Sequence, residues 1–123
     1  NVVGKPMAAL LTSRDATVTL CHSRSVPLAE STRDADIVVL AAGFPDLLTG
    51  DMIRAGATVI DFGVNVEAGR VFGDANAASV IEVAGAYTPV PGGITPVTTM
   101  VLARNTVTAA YALVTAEPTF SEV

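Results

Sequence analysis

The sequence contains a single cysteine, Cys21, so no intrachain disulfide framework is available and the chain suits a reducing compartment. Charge is also scarce. Charged side chains make up 15% of the residues, the net charge is −5, and no basic cluster is longer than two residues. A nucleic-acid binder carries a basic patch, so that class of partner is excluded. Long apolar runs are missing as well. The richest, Ile37 to Ala42, has strand length, far short of the roughly 18 residues of a membrane span. The chain opens without the charged segment and apolar core of a secretion signal. Asn1-Val2-Val3-Gly4 reads like the interior of something longer, and a fragment or processed chain is expected. Finally, there is no G-x-G-x-x-G, so the usual dinucleotide fingerprint cannot be invoked.

What is present is apolar: half of the 123 residues are hydrophobic, too many for disorder and enough for one domain with a real core. Apolar runs alternate with short helical patterns, the mark of βαβ units around a parallel sheet. Pro6 suits the first turn of a helix, with Met7, Leu10 and Leu11 as its buried stripe. Ala16 to Cys21 reads as a strand, and Pro27 to Arg33 as a short helix. Asp36 to Ala42 is nearly continuous in apolar residues, as expected of a strand covered on both faces, and Gly43 ends it. Thr49 is placed to N-cap a helix through Arg54, with Asp51 in its first turn and Gly56 as its stop. Ala57 to Phe62 is the next strand, and a small hairpin around Gly69 and Gly73 follows. Ala75 to Val80 suits a short helix and Val83 to Thr88 a last strand.

The segment Tyr87 to Pro96 holds three prolines and two glycines between that strand and a long amphipathic pattern. Proline fixes φ and glycine opens φ values closed to other residues, so this loop has one shape to hold. It is either a plain strand-to-helix turn or a surface for a flat ligand. Thr95 as N-cap and Pro96 at N1 predict a helix to about Thr115, with Met100, Ala103, Val107, Ala110 and Val114 on one face and Pro118 beyond its end.

Several clusters have the chemistry of a site. Gly4-Lys5-Pro6 opening a helix offers free N–H groups, the helix dipole and a lysine charge to an anion; equally, many helices start this way. Cys21-His22-Ser23-Arg24 lies just past a strand, where a doubly wound sheet places the adenosine ribose. A hydroxyl and a guanidinium there suit a ribose 2′-phosphate, with Ser25 assisting; the other reading is a polar turn with a solvated arginine. His22 lacks partners at metal spacing, so a metal site is rejected, and no oxyanion loop accompanies Ser23. Gly43-Phe44-Pro45 is a ligand-facing loop or a plain turn. Asp61, at a strand end, is more naturally a hydrogen-bond acceptor for loop amides than a catalytic group, and Asp34, Asp36 and Asp74 read as caps or turn residues.

In order along the chain stand Val3-Gly4-Lys5-Pro6-Met7, Cys21-His22-Ser23, DIVVLAAGFP, LTGDMIRAGATVIDFGVN, VFGD and TPVPGG. Together they resemble the NAD(P)-binding domain of methylenetetrahydrofolate dehydrogenase/cyclohydrolase, over nearly the whole chain to about Ala110. The resemblance implies an α/β, Rossmann-like, doubly wound and mostly parallel sheet, here lacking its first strand. It implies residues 1–123 as the cofactor domain, with the catalytic lysine and most of the folate site on another domain. The implied reaction is oxidation of methylene-tetrahydrofolate to the methenyl form by NADP, NAD being the weaker expectation, then hydrolysis to the formyl product. By the same resemblance Val3 and Gly4 belong to the loop over the pyrophosphate and nicotinamide. His22, Ser23 and Arg24 meet the ribose or its 2′-phosphate, and Ala42, Gly43 and Pro45 line the adenine side. Val64 meets the nicotinamide carboxamide through its backbone, Thr98 contacts the cofactor, and Pro91 and Gly92 touch the folate. A homodimer in the cytoplasm is expected, with no nucleic acid and no membrane.

The chain departs from the family in three ways. The family's glycine-arginine-serine before the first loop, and the strand before that, are missing, so Arg24 is the substitute for that arginine or the site is incomplete. Thr95 stands where the family usually has glycine, which crowds the nicotinamide. The catalytic domain is absent, so the chain by itself is expected not to turn over folate and to need an upstream segment or companion chain for stability. The alternatives are a monofunctional NAD-dependent dehydrogenase and a non-catalytic nucleotide-binding module.

Overall fold

The computed structural model describes residues 2–115; the expected stop at Pro118 lies outside them, as does Asn1. Along the chain run α1 (Gly4–Thr12), α2 (Ala29–Thr32), β1 (Ile37–Leu40), a 3-10 turn (Gly50–Met52) and β2 (Thr58–Asp61). Then come the hairpin strands β3 (Asn65–Glu67) and β4 (Arg70–Phe72), followed by α3 (Ala77–Ile81), β5 (Ala86–Tyr87) and α4 (Thr95–Thr115). The parallel sheet has the order β1-β2-β5, with Val38 opposite Val59 and Leu40 opposite Asp61. The hairpin turns at Ala68 and Gly69, both at positive φ, the conformation that a tight two-residue turn requires.

Alternation along the strands sends Val38, Leu40 and Val59 to one face, where Leu48, Ile53, Ala57, Ala75 and Val80 complete the core. Gly50 lets the 3-10 turn approach α3 closely: a Cβ there would run into the Ser79 carbonyl, whose own side-chain oxygen accepts the Gly50 N–H at 3.1 Å. Asn76 caps α3 by accepting the Ser79 N–H at 3.1 Å.

The structure corrects four expectations. Ala16 to Cys21 is not a strand, because no neighbouring strand stands beside it among the described residues and a strand exists only through its ladder. The β1 strand is covered on one face, not two: Ile37 on the other face is 55% exposed. The segment after Thr49 makes a single 3-10 turn rather than a helix to Arg54, because the Thr49 hydroxyl bonds the Asp51 carboxylate at 2.5 Å and does not cap. The α1 and α4 helices form where the patterns placed them, but neither fully buries a residue: on α1 Met7 and Leu11 are half-buried and Leu10 is exposed, and Met100 on α4 is 69% exposed.

Candidate functional site

The carboxyl ends of adjacent parallel strands open a crevice, and here β1 and β2 end side by side. The peptides after β1 (Ala41-Ala42-Gly43) and after β2 (Phe62-Gly63-Val64) form two walls of a cleft of about 270 Å³, and Val2 and Val3, leading into α1, form the third. Its lining is apolar, with three valines and Phe62 beside two alanines and two glycines, and it carries no charged side chain. A side chain at Gly4 or Gly43 would meet nothing within 4 Å, so main chain is bare at both places, and Gly43 holds a φ of +67° that favours glycine. At the start of α1 the Val3 carbonyl accepts the Met7 N–H at 3.0 Å. No side chain caps this end and no acidic residue lies in its first turn, which leaves the Gly4 and Lys5 N–H groups and the positive end of the dipole unopposed.

Two buried carboxylates hold the walls. Asp61 and Asp74 are both fully buried. Asp61, the last residue of β2, accepts the Gly63 N–H at 2.8 Å and the Asp74 N–H at 3.1 Å on Oδ1, and the Ala75 N–H at 2.9 Å on Oδ2. Asp74 accepts the Ala42 and Gly43 N–H groups on Oδ2, at 2.7 and 2.9 Å. Its Oδ1 accepts the Phe44 N–H at 3.0 Å and the Asn65 Nδ2 at 2.9 Å. Both neighbouring glycines are steric requirements: a Cβ at Gly63 would overlap the Asp74 carboxylate, and one at Gly73 would overlap that of Asp61. Asp61 thus serves loop amides, as its strand-end position suggested. Asp74 does far more than a turn residue. Nothing local in the sequence marked it, because three of its four donors lie some thirty positions away.

Of the residues singled out from the sequence, the structure brings Val3, Ala42, Gly43 and Val64 into this cleft, with Gly4 adjoining Val3 at the start of α1. Val2, Ala41, Phe62 and Gly63 line it too and were not foreseen. Pro45 continues the Gly43-Phe44 loop and is exposed. His22, Ser23 and Arg24 sit on a separate exposed turn, closed by the Ser25 N–H donating to the His22 carbonyl at 2.8 Å. There the His22 Nδ1 accepts the Arg24 N–H at 3.1 Å, and the Arg24 guanidinium makes no ion pair among the described residues. Pro91 and Gly92 lie in the proline-glycine loop, where the Val90-Pro91 peptide is cis and Gly92 has a φ of +100°. The Thr88 Oγ1 ties that loop to β2 by accepting the Asp61 N–H at 2.8 Å. Thr98 is in the first turn of α4, with its hydroxyl donating to the Thr95 carbonyl at 2.8 Å. Burial, and after it the Asp61 carboxylate, raise the Tyr87 phenol above its ordinary value of 10.0.

A larger depression of about 500 Å³ runs along Pro96, Val97, Met100, Val101 and Arg104, but it belongs to α4 alone and has no opposing wall. Among the described residues no cluster of three or more His, Cys, Asp or Glu is placed to hold a metal ion. No described helix is long and apolar enough to cross a membrane.

Parallel strands, a cleft at their carboxyl ends and a bare helix N-terminus beside it define a Rossmann-like nucleotide-binding domain. The chain belongs to the tetrahydrofolate dehydrogenase/cyclohydrolase NAD(P)-binding domain family, whose model matches residues 1–114. It is 58% identical over 109 residues to the bifunctional protein FolD of Chloroflexus aurantiacus, covering 88% of this chain and 38% of that protein. It is 60% identical over 110 residues to that of a Roseiflexus species, covering 89% and 38%. The chain thus spans about two-fifths of the length of the relatives it matches. Among solved structures, the bifunctional FolD of Campylobacter jejuni superposes with a TM-score of 0.85 at 41% identity, over 89% of this chain and 39% of that one. The FolD of Trypanosoma brucei, complexed with NADP cofactor and inhibitor, gives 0.83 at 43% identity, over 92% and 41%.

Proposed function

We propose that this chain is the cofactor domain of a bifunctional methylenetetrahydrofolate dehydrogenase/cyclohydrolase and that it prefers NADP. The observation that carries this reading is the apolar cleft between the ends of β1 and β2, beside the uncapped start of α1. Bare main chain at Gly4 and Gly43 and an apolar, uncharged lining fit a flat, extended dinucleotide. When bound, NADP supplies the acceptor for the hydride that leaves the methylene bridge of the folate.

The residues of this chain bind and orient. Gly4 and Lys5, with Val3 before them, favour the pyrophosphate through free N–H groups, the dipole and the lysine charge. Ser23 and Arg24 take the ribose 2′-phosphate, on a turn already shaped by His22 and Ser25. Ala42, Gly43 and Pro45 flank the adenine. The Val64 backbone meets the nicotinamide carboxamide, and Thr98 contacts the cofactor from α4. Pro91 and Gly92 press against the folate from a loop anchored to β2 through Thr88. The lysine that assists hydrolysis belongs to another domain, so this chain positions the reaction and leaves the proton transfers to that domain. A homodimer in the cytoplasm completes the reading.

Calorimetric titration with NADP and NAD tests it. NADP binding at least tenfold tighter than NAD, about 1.4 kcal/mol, is expected, and Arg24→Ala should abolish that preference while leaving NAD unchanged. Equal affinities would shift the assignment to an NAD-dependent enzyme. Binding of neither would mean that Thr95, standing where the family usually has glycine, closes the pocket, and a non-catalytic module would become the better account.

A further inference from the structure

The two walls of the cleft come from different strand ends and share no direct ladder beyond Leu40 and Asp61. Beyond the Phe62 N–H, which donates to the Leu40 carbonyl at 2.8 Å, they are joined through Asp74, backed by Asp61, which accepts both the Gly63 and the Asp74 N–H. The Asp74 carboxylate takes three successive amides of the first wall region, Ala42, Gly43 and Phe44. The same carboxylate lies in the space that a Gly63 side chain would need, and it accepts the Asn65 amide, so it also abuts the second wall. Asp74 is itself held from behind. Its N–H donates to Asp61, its carbonyl accepts the Leu47 N–H at 2.7 Å, and Leu48 pairs with Ala75 next to it.

We propose that Asp74 is a positioning residue for the dinucleotide: its carboxylate sets the separation of the two cleft walls. The proposal rests on the cofactor reading above. Four donors converge on its two oxygens, and only an ionised carboxylate can accept all four. An asparagine there turns an NH₂ towards the Ala42 and Gly43 N–H groups in one orientation and towards that of Phe44 in the other, so the first wall must move away in either. The Ala42-Gly43-Phe44 amides, a ready anion-binding concavity, are already occupied by this internal carboxylate. This part of the cleft therefore offers the ligand carbon and backbone edges rather than anion donors.

The test compares Asp74→Asn and the milder Asn65→Ala with Val80→Ala, which opens the core away from the cleft and controls for lost stability. Each is measured at a temperature where circular dichroism shows it folded. Amide hydrogen exchange should quicken at Ala42, Gly43 and Phe44 in Asp74→Asn, and NADP affinity should fall at least tenfold. Asn65→Ala should show the same pattern more weakly, and Val80→Ala should leave NADP affinity within twofold. If Asp74→Asn leaves exchange at Ala42, Gly43 and Phe44 unchanged, or all three variants bind NADP like the parent, the positioning role is wrong. Should Asp74→Asn not fold, Asn65→Ala against Val80→Ala decides by the same criteria. If the parent chain exchanges as described but binds no dinucleotide, the cofactor reading fails while the wall linkage stands as a purely structural device.

Discussion

At the scale of single residues, the site is held by acceptors placed against glycines. Gly63 and Gly73 lie where any side chain collides with a buried carboxylate, whereas Gly69 has open space and only its φ of +78° to satisfy. Gly63→Ala should therefore destabilise by about 1–3 kcal/mol through overpacking, and by denaturant unfolding should exceed Gly69→Ala, which costs roughly 1–2 kcal/mol of left-handed strain. Tyr87 gives a pH signature. Its folded value is raised, so its contribution to stability is complete below about pH 10 and is lost as pH rises through the folded value. Above about pH 10, unfolding free energy should decline more steeply in the parent than in Tyr87→Phe; parallel curves would show that the phenol is not responsible. The role of Asp61 was legible because a strand-end aspartate faces loop amides. That of Asp74 was not, since its partners at Ala42, Gly43 and Phe44 are some thirty positions away.

At the scale of elements, local signals served where the element closes its own hydrogen bonds. The span of α4, Thr95–Thr115, was readable because helical bonds run within the segment and Pro96 suits its first turn. The hairpin was readable for a similar reason, its turn glycine being adjacent in sequence to both strands. The Ala16 to Cys21 segment has the β-branched composition of a strand but no ladder, because pairing depends on a neighbour that local sequence does not reveal. The cap of α3 yields a further prediction. Asn76 accepts the Ser79 N–H and donates from Nδ2 to Asp46 at 3.0 Å. Asn76→Ala should cost about 1 kcal/mol, read as a lower thermal midpoint, while Asn76→Asp should recover most of the capping share; equal losses in both would put the effect on the Asp46 contact.

At the scale of the molecule, the core is one-sided. Val38, Leu40 and Val59 are buried while Ile37 on the other face is exposed, and Val97, Met100 and Val101 form an exposed apolar stripe on one side of α4. Such a surface should bind a hydrophobic dye in the folded state and promote association at high concentration. Met100→Lys together with Val97→Glu should reduce both without changing the unfolding midpoint, because neither residue supports the core. An unchanged sedimentation profile would show that α4 is not the surface responsible.

The sequence by itself determined the class of fold, the family, the helix after the proline-glycine loop and the strand ends that carry the cleft, because these depend on local periodicity and on contiguous motifs. Only the tertiary structure decided which strand ends face each other, which faces are covered, and that Asp74 reaches from the end of β4 to bind the peptide after β1. Those outcomes depend on steric fit and on pairing donors with acceptors far apart along the chain, and no local pattern encodes where such partners meet.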